Sequence, residues 1–125
     1  MQYSKIFSAA LFLTSSALAL PAFANSTPPQ PGEVVIQVVA KQFDFTPGSE
    51  TPITLKKGQP VVLAVTTQDR KHGFFSEELG IDEVITPGQV NYIHLNPTQV
   101  GTFTFHCSVF CGSGHDGMQG TIIIQ

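Results

Sequence analysis

Glycine and proline recur so often in this chain that a long amphipathic helix has no room to form. Eleven glycines and nine prolines are spread over 125 residues, and each lowers the stability of a helix interior. What lies between them is short, β-branched and aromatic. Residues 34–45 alternate in part and read as one strand. Residues 53–55 are brief, and the turn Lys56-Lys57-Gly58-Gln59-Pro60 follows. Residues 61–67 form the most apolar run and read as a central strand. A second turn, Thr86-Pro87-Gly88-Gln89, precedes residues 90–95, where Val90, Tyr92 and His94 share one face. Residues 101–107 alternate cleanly, with Phe103, Phe105 and Cys107 on one face and Thr102, Thr104 and His106 on the other. Residues 120–124 give a last strand, and residues 77–81 suit a single helical turn. Seven to eight short strands predict an all-β fold, an antiparallel β-sandwich. The pattern does not fix the strand order.

Residues 1–24 read as a secretory signal rather than as part of the fold. Lys5 gives a positive start, residues 6–20 are mostly apolar, and Ala22-Phe23-Ala24 is the small-x-small pattern of a cleavage site. A retained anchor is the alternative, although Pro21 ends an apolar run that is short for a bilayer span. The expected organisation is a signal peptide at 1–24, a flexible Pro-rich arm at 25–33 and one domain at 34–125. The expected location is the periplasm or another exported compartment, with no membrane span after signal cleavage. Without Lys5, five basic residues stand against nine acidic ones, which argues against nucleic-acid binding. The acidic residues Glu77, Glu78, Asp82 and Glu83 are a candidate docking patch for a basic partner.

The chemistry is concentrated near the C-terminus, in the stretch His106-Cys107-Ser108-Val109-Phe110-Cys111-Gly112-Ser113-Gly114-His115-Asp116-Gly117-Met118. Two thiols, an imidazole and a thioether select copper or zinc over magnesium and calcium, and the methionine favours copper. Gly112, Gly114 and Gly117 allow the loop to curl so that these groups converge. His72, flanked by Gly73 and Phe74 after the polar break at 69–71, is the natural upstream ligand. Two sites fit. A mononuclear type 1 copper site would use His72, Cys111, His115 and Met118 and leave Cys107 idle. A binuclear site with both thiolates bridging gives all five side chains a role. Neither has an open position for catalysis, so an electron carrier or copper-binding protein is expected rather than an enzyme. Phe74, Phe110 and Asp116 are candidates to surround the centre, Asp116 by orienting His115. His94 and His106 read as exposed strand histidines. A plain Cys107–Cys111 disulfide in a copper-free binding module is the contrasting reading.

These residues resemble the binuclear-copper (CuA-type) domain of cytochrome c oxidase subunit II, nearest to the ba3-type, and the related domain of nitrous oxide reductase. The resemblance covers roughly residues 34–125. It rests on two cysteines four apart, a histidine four further on and a methionine three beyond, together with His72-Gly73-Phe74, the Pro87-Gly88 turn and Gly120-Thr121-Ile122. It implies a cupredoxin-like Greek-key sandwich and two copper ions bridged by Cys107 and Cys111. It further implies one copper on each of His72 and His115, with Met118 on one metal and the Val109 backbone carbonyl on the other. Many family members carry glutamate where this chain has Val109, and they commonly use a tryptophan for electron entry that this chain lacks. The expectation is therefore a stand-alone exported electron carrier whose partner is a redox protein such as a c-type cytochrome. A copper chaperone or storage protein delivering metal to a copper-receiving oxidase is the alternative.

Overall fold

The computed structural model describes residues 27–125; the signal expected at 1–24 lies outside the described residues. Among these described residues, nine strands form two sheets packed face to face. Strands β1 (Val34–Lys41), β2 (Asp44–Thr46), β4 (Val61–Thr67) and β7 (Asn91–Leu95) make a four-stranded sheet in the order β2-β1-β4-β7. Strands β3 (Ile53–Leu55), β9 (Gln119–Ile124), β8 (Gly101–His106), β5 (His72–Ser76) and β6 (Ile81–Ile85) make a five-stranded sheet in the order β3-β9-β8-β5-β6.

The expected all-β sandwich is present, with a mixed sheet pattern. β1 pairs parallel with β4, from Val34 opposite Val61 to Ala40 opposite Thr67, and β3 pairs parallel with β9. The other pairings are antiparallel. Residues 34–45 are two strands rather than one, because the chain reverses after Lys41 and pairs Asp44 back on Lys41. Residues 72–85 form a hairpin, β5–β6. The helical turn expected at 77–81 is its tight connection, where the Gly80 amide donates to the Glu77 carbonyl and Ile81 already belongs to β6.

Alternation decides which side chains reach the core. Ile36, Val38 and Ala40 of β1 face inward, as do Val61, Leu63 and Val65 of β4. From the other sheet come Phe74, Ile85, Phe105 and Ile122. Phe74 and Phe105 stack at 4.1 Å between ring centroids, and Phe45 meets both edge-on. Burying an aromatic or branched side chain of this size stabilises the fold by about 1.5–3 kcal/mol. This aromatic floor belongs to the same buried cluster as Cys107, Cys111 and Met118.

Before β1, the chain lies against the outer face of the four-stranded sheet. His94 Nδ1 is 2.9 Å from Glu33 Oε1, and His94 Nε2 is 2.9 Å from the Thr27 carbonyl. The Gln30 amide donates to Glu33 Oε2. Val62, which points outward beside His94, is fully buried.

A candidate metal centre at one end of the sandwich

Three strands deliver the site. β8 ends at His106 and β9 begins opposite it at Gln119, so residues 107–118 form the connection of a long hairpin. Its mouth is closed by the Cys107 amide donating to the Met118 carbonyl at 2.9 Å. β5 pairs with β8 at Phe75 opposite His106, so the start of β5 runs alongside the first residues of the loop. His72 is the first residue of β5, in the five-stranded sheet, rather than an appendage of the central strand β4 before it. It is fully buried.

Gly73 permits this approach. A Cβ there would collide with the Ser108 hydroxyl and lie 2.8 Å from the Val109 amide nitrogen. With only hydrogen in that place, the Gly73 amide comes within 3.4 Å of Cys107 Sγ and donates to it.

The expected side chains converge. The Cys107 and Cys111 sulfurs are 3.4 Å apart, and both are free, buried thiols. His72 Nδ1 is 3.8 Å from Cys107 Sγ, and His115 Nδ1 is 3.5 Å from Cys111 Sγ. Met118 Sδ is 3.6 Å from Cys111 Sγ, and the Val109 carbonyl oxygen is 3.1 Å from Cys107 Sγ. Two ligands about 2.0–2.3 Å from one metal at tetrahedral angles lie roughly 3.3–3.8 Å apart. The spacing of these donors therefore fits metal coordination, and their soft sulfur and imidazole character fits copper. Among the described residues, His72, Cys107 and Cys111 present donor atoms all within 4.8 Å of one another.

The surroundings differ from expectation in instructive ways. Asp116, at the centre of the short 3-10 turn His115–Gly117, lines a shallow cavity with His106, His115 and Gln119. The carboxylate that holds a histidine of this site is Asp69, with Oδ1 2.7 Å from His72 Nε2. Its only signal in the sequence was its place three residues before His72. Burial works against ionisation of Asp69, but hydrogen bonds from the His72 ring and the Gln42 and Arg70 amides outweigh it. They hold its carboxyl well below the usual range. Burial, reinforced by Cys107, pushes the Cys111 thiol up to about 12, so it is a neutral thiol in the metal-free protein.

Phe74 belongs to the core cluster, whereas Phe110 is 76% exposed with its ring 5.6 Å from that of His115. His106 is exposed as expected and tilts against Phe75. The acidic residues run from the turn of the β5–β6 hairpin back along β6, where Glu83 pairs with Phe74. His72 pairs with Ile85 at the metal end of the β5–β6 hairpin, while Glu77 and Glu78 sit in its turn beyond Ser76 and Asp82 pairs with Phe75.

A two-sheet β-sandwich with a Cys, His and Met loop closing over an upstream histidine defines a cupredoxin. The cupredoxin-like domain family matches residues 6–124. Over 95 residues the chain is 30% identical to cytochrome c oxidase subunit 2 of Thermus thermophilus, a stretch covering 76% of this chain and 68% of that protein. A second T. thermophilus subunit 2 matches at the same 30% over 76% of this chain, but over only 55% of its own length. The crystal structure of the periplasmic domain of cytochrome oxidase subunit II from Bradyrhizobium japonicum superposes with a TM-score of 0.69. Its identity is 19%, over 78% of this chain and 86% of that one. The chain belongs to the cupredoxin-like domain family and is homologous to cytochrome c oxidase subunit II. That family identity fits an electron carrier rather than a catalyst. Among the described residues, no helix is long and apolar enough to cross a membrane.

Proposed function

We propose that this protein is an exported, periplasmic electron carrier built around a two-copper, CuA-type centre. Cys107 and Cys111 would bridge the metals, with His72 and His115 binding one each. Met118 and the Val109 carbonyl would complete the set. The observation that carries this reading is the flanking of two close sulfurs, 3.4 Å apart, by one imidazole nitrogen on each side. A mononuclear site has no need of the second sulfur or of Val109's carbonyl at 3.1 Å from it.

Bound copper supplies a reversible one-electron couple. The chain's own contribution is to hold still. β5, β8 and β9 fix the donors from three directions, so little rearrangement accompanies a change of charge. The buried cysteines, Met118 and the aromatic floor exclude water. His115 and the exposed Phe110 are where the centre comes nearest the surface, so electrons would enter and leave there. The partner would be a redox protein such as a c-type cytochrome. The acidic cluster on the β5–β6 hairpin would serve orientation rather than direct transfer, because its turn lies at the far end of β5. The domain division would be a signal at 1–24, an arm at 25–33 and the cupredoxin domain at 34–125.

The reading is tested by loading fully reduced protein and counting metal. Two coppers per chain are expected, with Cys107→Ser and Cys111→Ser each binding fewer. One copper per chain in the wild type contradicts it. Copper delivery to an oxidase is the second reading, favoured by the absence of tryptophan. Transfer of copper to a metal-free oxidase domain, without electron exchange with a cytochrome c, would establish delivery instead.

A further inference from the structure

Two side chains outside the ligand set converge on one atom of the metal loop. Arg70 Nη1 donates to the Cys111 carbonyl at 3.0 Å, and Gln42 Nε2 donates to the same oxygen at 2.5 Å. They come from positions 41 and 69 residues away from Cys111. A carbonyl oxygen has two lone pairs, and here both are taken by side chains rather than by backbone. Gly112 makes this possible. Its φ is +135°, and a Cβ on it would sit 2.7 Å from the Gln42 amide nitrogen.

The same two residues are tied at their backbones to the histidine side of the site. The Gln42 amide donates to Asp69 Oδ2 and the Arg70 amide to Asp69 Oδ1, each at 2.7 Å. Asp69 holds His72. A closed path of hydrogen bonds thus runs from His72 through Asp69 to Gln42 and Arg70, and from both of these to Cys111. It joins the upstream ligand to the loop ligands through protein groups alone.

We propose that Arg70 and Gln42 are positioning residues that clamp the cysteine loop through the Cys111 carbonyl, and that the Arg70 charge also biases the centre toward its reduced state. The second half rests on the copper reading above. The clamp works because the loop's own backbone bonds, Cys107 to Met118, His115 to Gly112, Gly117 to Gly114 and Met118 to His115, leave the Cys111 carbonyl to the external donors. The bias follows from Coulomb's law. A fixed cation beside a centre that gains an electron favours the electron-rich form, and a part-buried site screens it less than water does. Arg70 does this as a permanent charge with a planar fork of donors; Gln42 supplies only the hydrogen bond.

The two contributions separate in three variants. Arg70→Met loses bond and charge, Arg70→Lys keeps the charge, and Gln42→Leu loses a bond without touching charge. In the metal-free protein, alkylation of Cys111, corrected for the thiolate fraction because loss of the Arg70 charge also pushes that thiol up, should speed up several-fold in Arg70→Met and Gln42→Leu. Unchanged labelling in both overturns the clamp. In the copper-loaded protein, the reduction potential should fall in Arg70→Met, and stay nearer the wild-type value in Arg70→Lys and Gln42→Leu. A potential in Arg70→Met equal to or above wild type overturns the bias. A wild-type protein that takes up no copper would contradict the two-copper reading, and the bias with it. The clamp is still decided by the metal-free labelling.

Discussion

Asp69 and His72 are joined by a 2.7 Å contact between Oδ1 and Nε2 that decides which nitrogen of the imidazole faces the cysteines. An ionised carboxylate only accepts, so Nε2 carries the hydrogen, and in the neutral, metal-binding ring the Nδ1 lone pair then faces Cys107. Replacing Asp69 with Ala frees the ring to rotate and unties Gln42 and Arg70 as well. Partners that orient a metal-binding histidine are worth about 10- to 100-fold in metal affinity. Asp69→Ala should therefore bind copper about 10- to 100-fold more weakly in competition with a chelator, with Asp69→Asn intermediate. The folded-state value of Asp69 is lowered, so its contribution to stability is present above the ordinary value of 3.8 and is lost as pH falls through the lowered one. Wild type and Asp69→Ala should converge in stability only in strong acid.

Gly73→Ala tests the close approach of β5 to the loop. The added methyl has no space between Ser108 and the Val109 amide, and overpacking of this kind destabilises by about 1–3 kcal/mol. Thermal unfolding should shift down accordingly. Copper uptake should fall further than the stability loss explains, because the methyl also pushes the Gly73 amide away from Cys107 Sγ. Unimpaired uptake would show that the loop does not need this register.

Copper loading should release protons even in alkaline solution. An ordinary cysteine titrates near 8.5 and is mostly thiolate at about pH 10. Burial first, and Cys107 second, push Cys111 up to about 12, so it still carries its proton there. Metal binding requires the thiolate. Calorimetry of copper(I) loading at about pH 10, in buffers of differing ionisation enthalpy, should detect that proton. Its absence would mean that Cys111 is already ionised in the metal-free protein.

His94 should couple the arm before β1 to pH. Both its partners, the Glu33 carboxylate and the Thr27 carbonyl, are pure acceptors, so both contacts together need a doubly protonated ring. Hydrogen bonds to Glu33 and Thr27 accordingly raise His94 above its ordinary 6.5. The contribution is complete below 6.5 and is lost as pH rises through the raised folded value. Glu33, lowered by the Gln30 amide and His94, contributes above 4.5 and loses its part as pH falls through its own lowered value. The protection of residues 27–33 against hydrogen exchange, taken relative to the intrinsic rate at each pH, should be greatest in weak acid and smaller in mild alkali. His94→Gln should remove the difference between the two.

Much of the candidate site was legible because most of its donor groups are close in sequence. Cys107, Cys111, His115 and Met118 lie within one hairpin connection, so the β8–β9 pairing brings them to one end of the sandwich. His72 was legible from its residue type and its place after a strong strand. Asp69 offered only its spacing to His72, and the roles of Gln42 and Arg70 depend on contacts across 69 and 41 residues that no local pattern records. The fold shows the same division. Alternation sorted Phe103, Phe105 and Cys107 onto one face of residues 101–107, yet it cannot distinguish parallel from antiparallel neighbours, so the β1–β4 and β3–β9 pairings came only from the structure. The reversal at Gln42-Phe43 carries neither glycine nor proline, which is why residues 34–45 looked continuous. His94 was placed on an outward face, but the segment covering that face comes from 61 and 67 residues earlier in the chain.

The most direct test of the two-copper centre is electron paramagnetic resonance of the copper-loaded, partly oxidised protein. One unpaired electron shared over two bridged coppers gives hyperfine splitting from two equivalent nuclei, and that spectrum is expected here. Splitting from a single copper nucleus, with one metal per chain, would contradict the account.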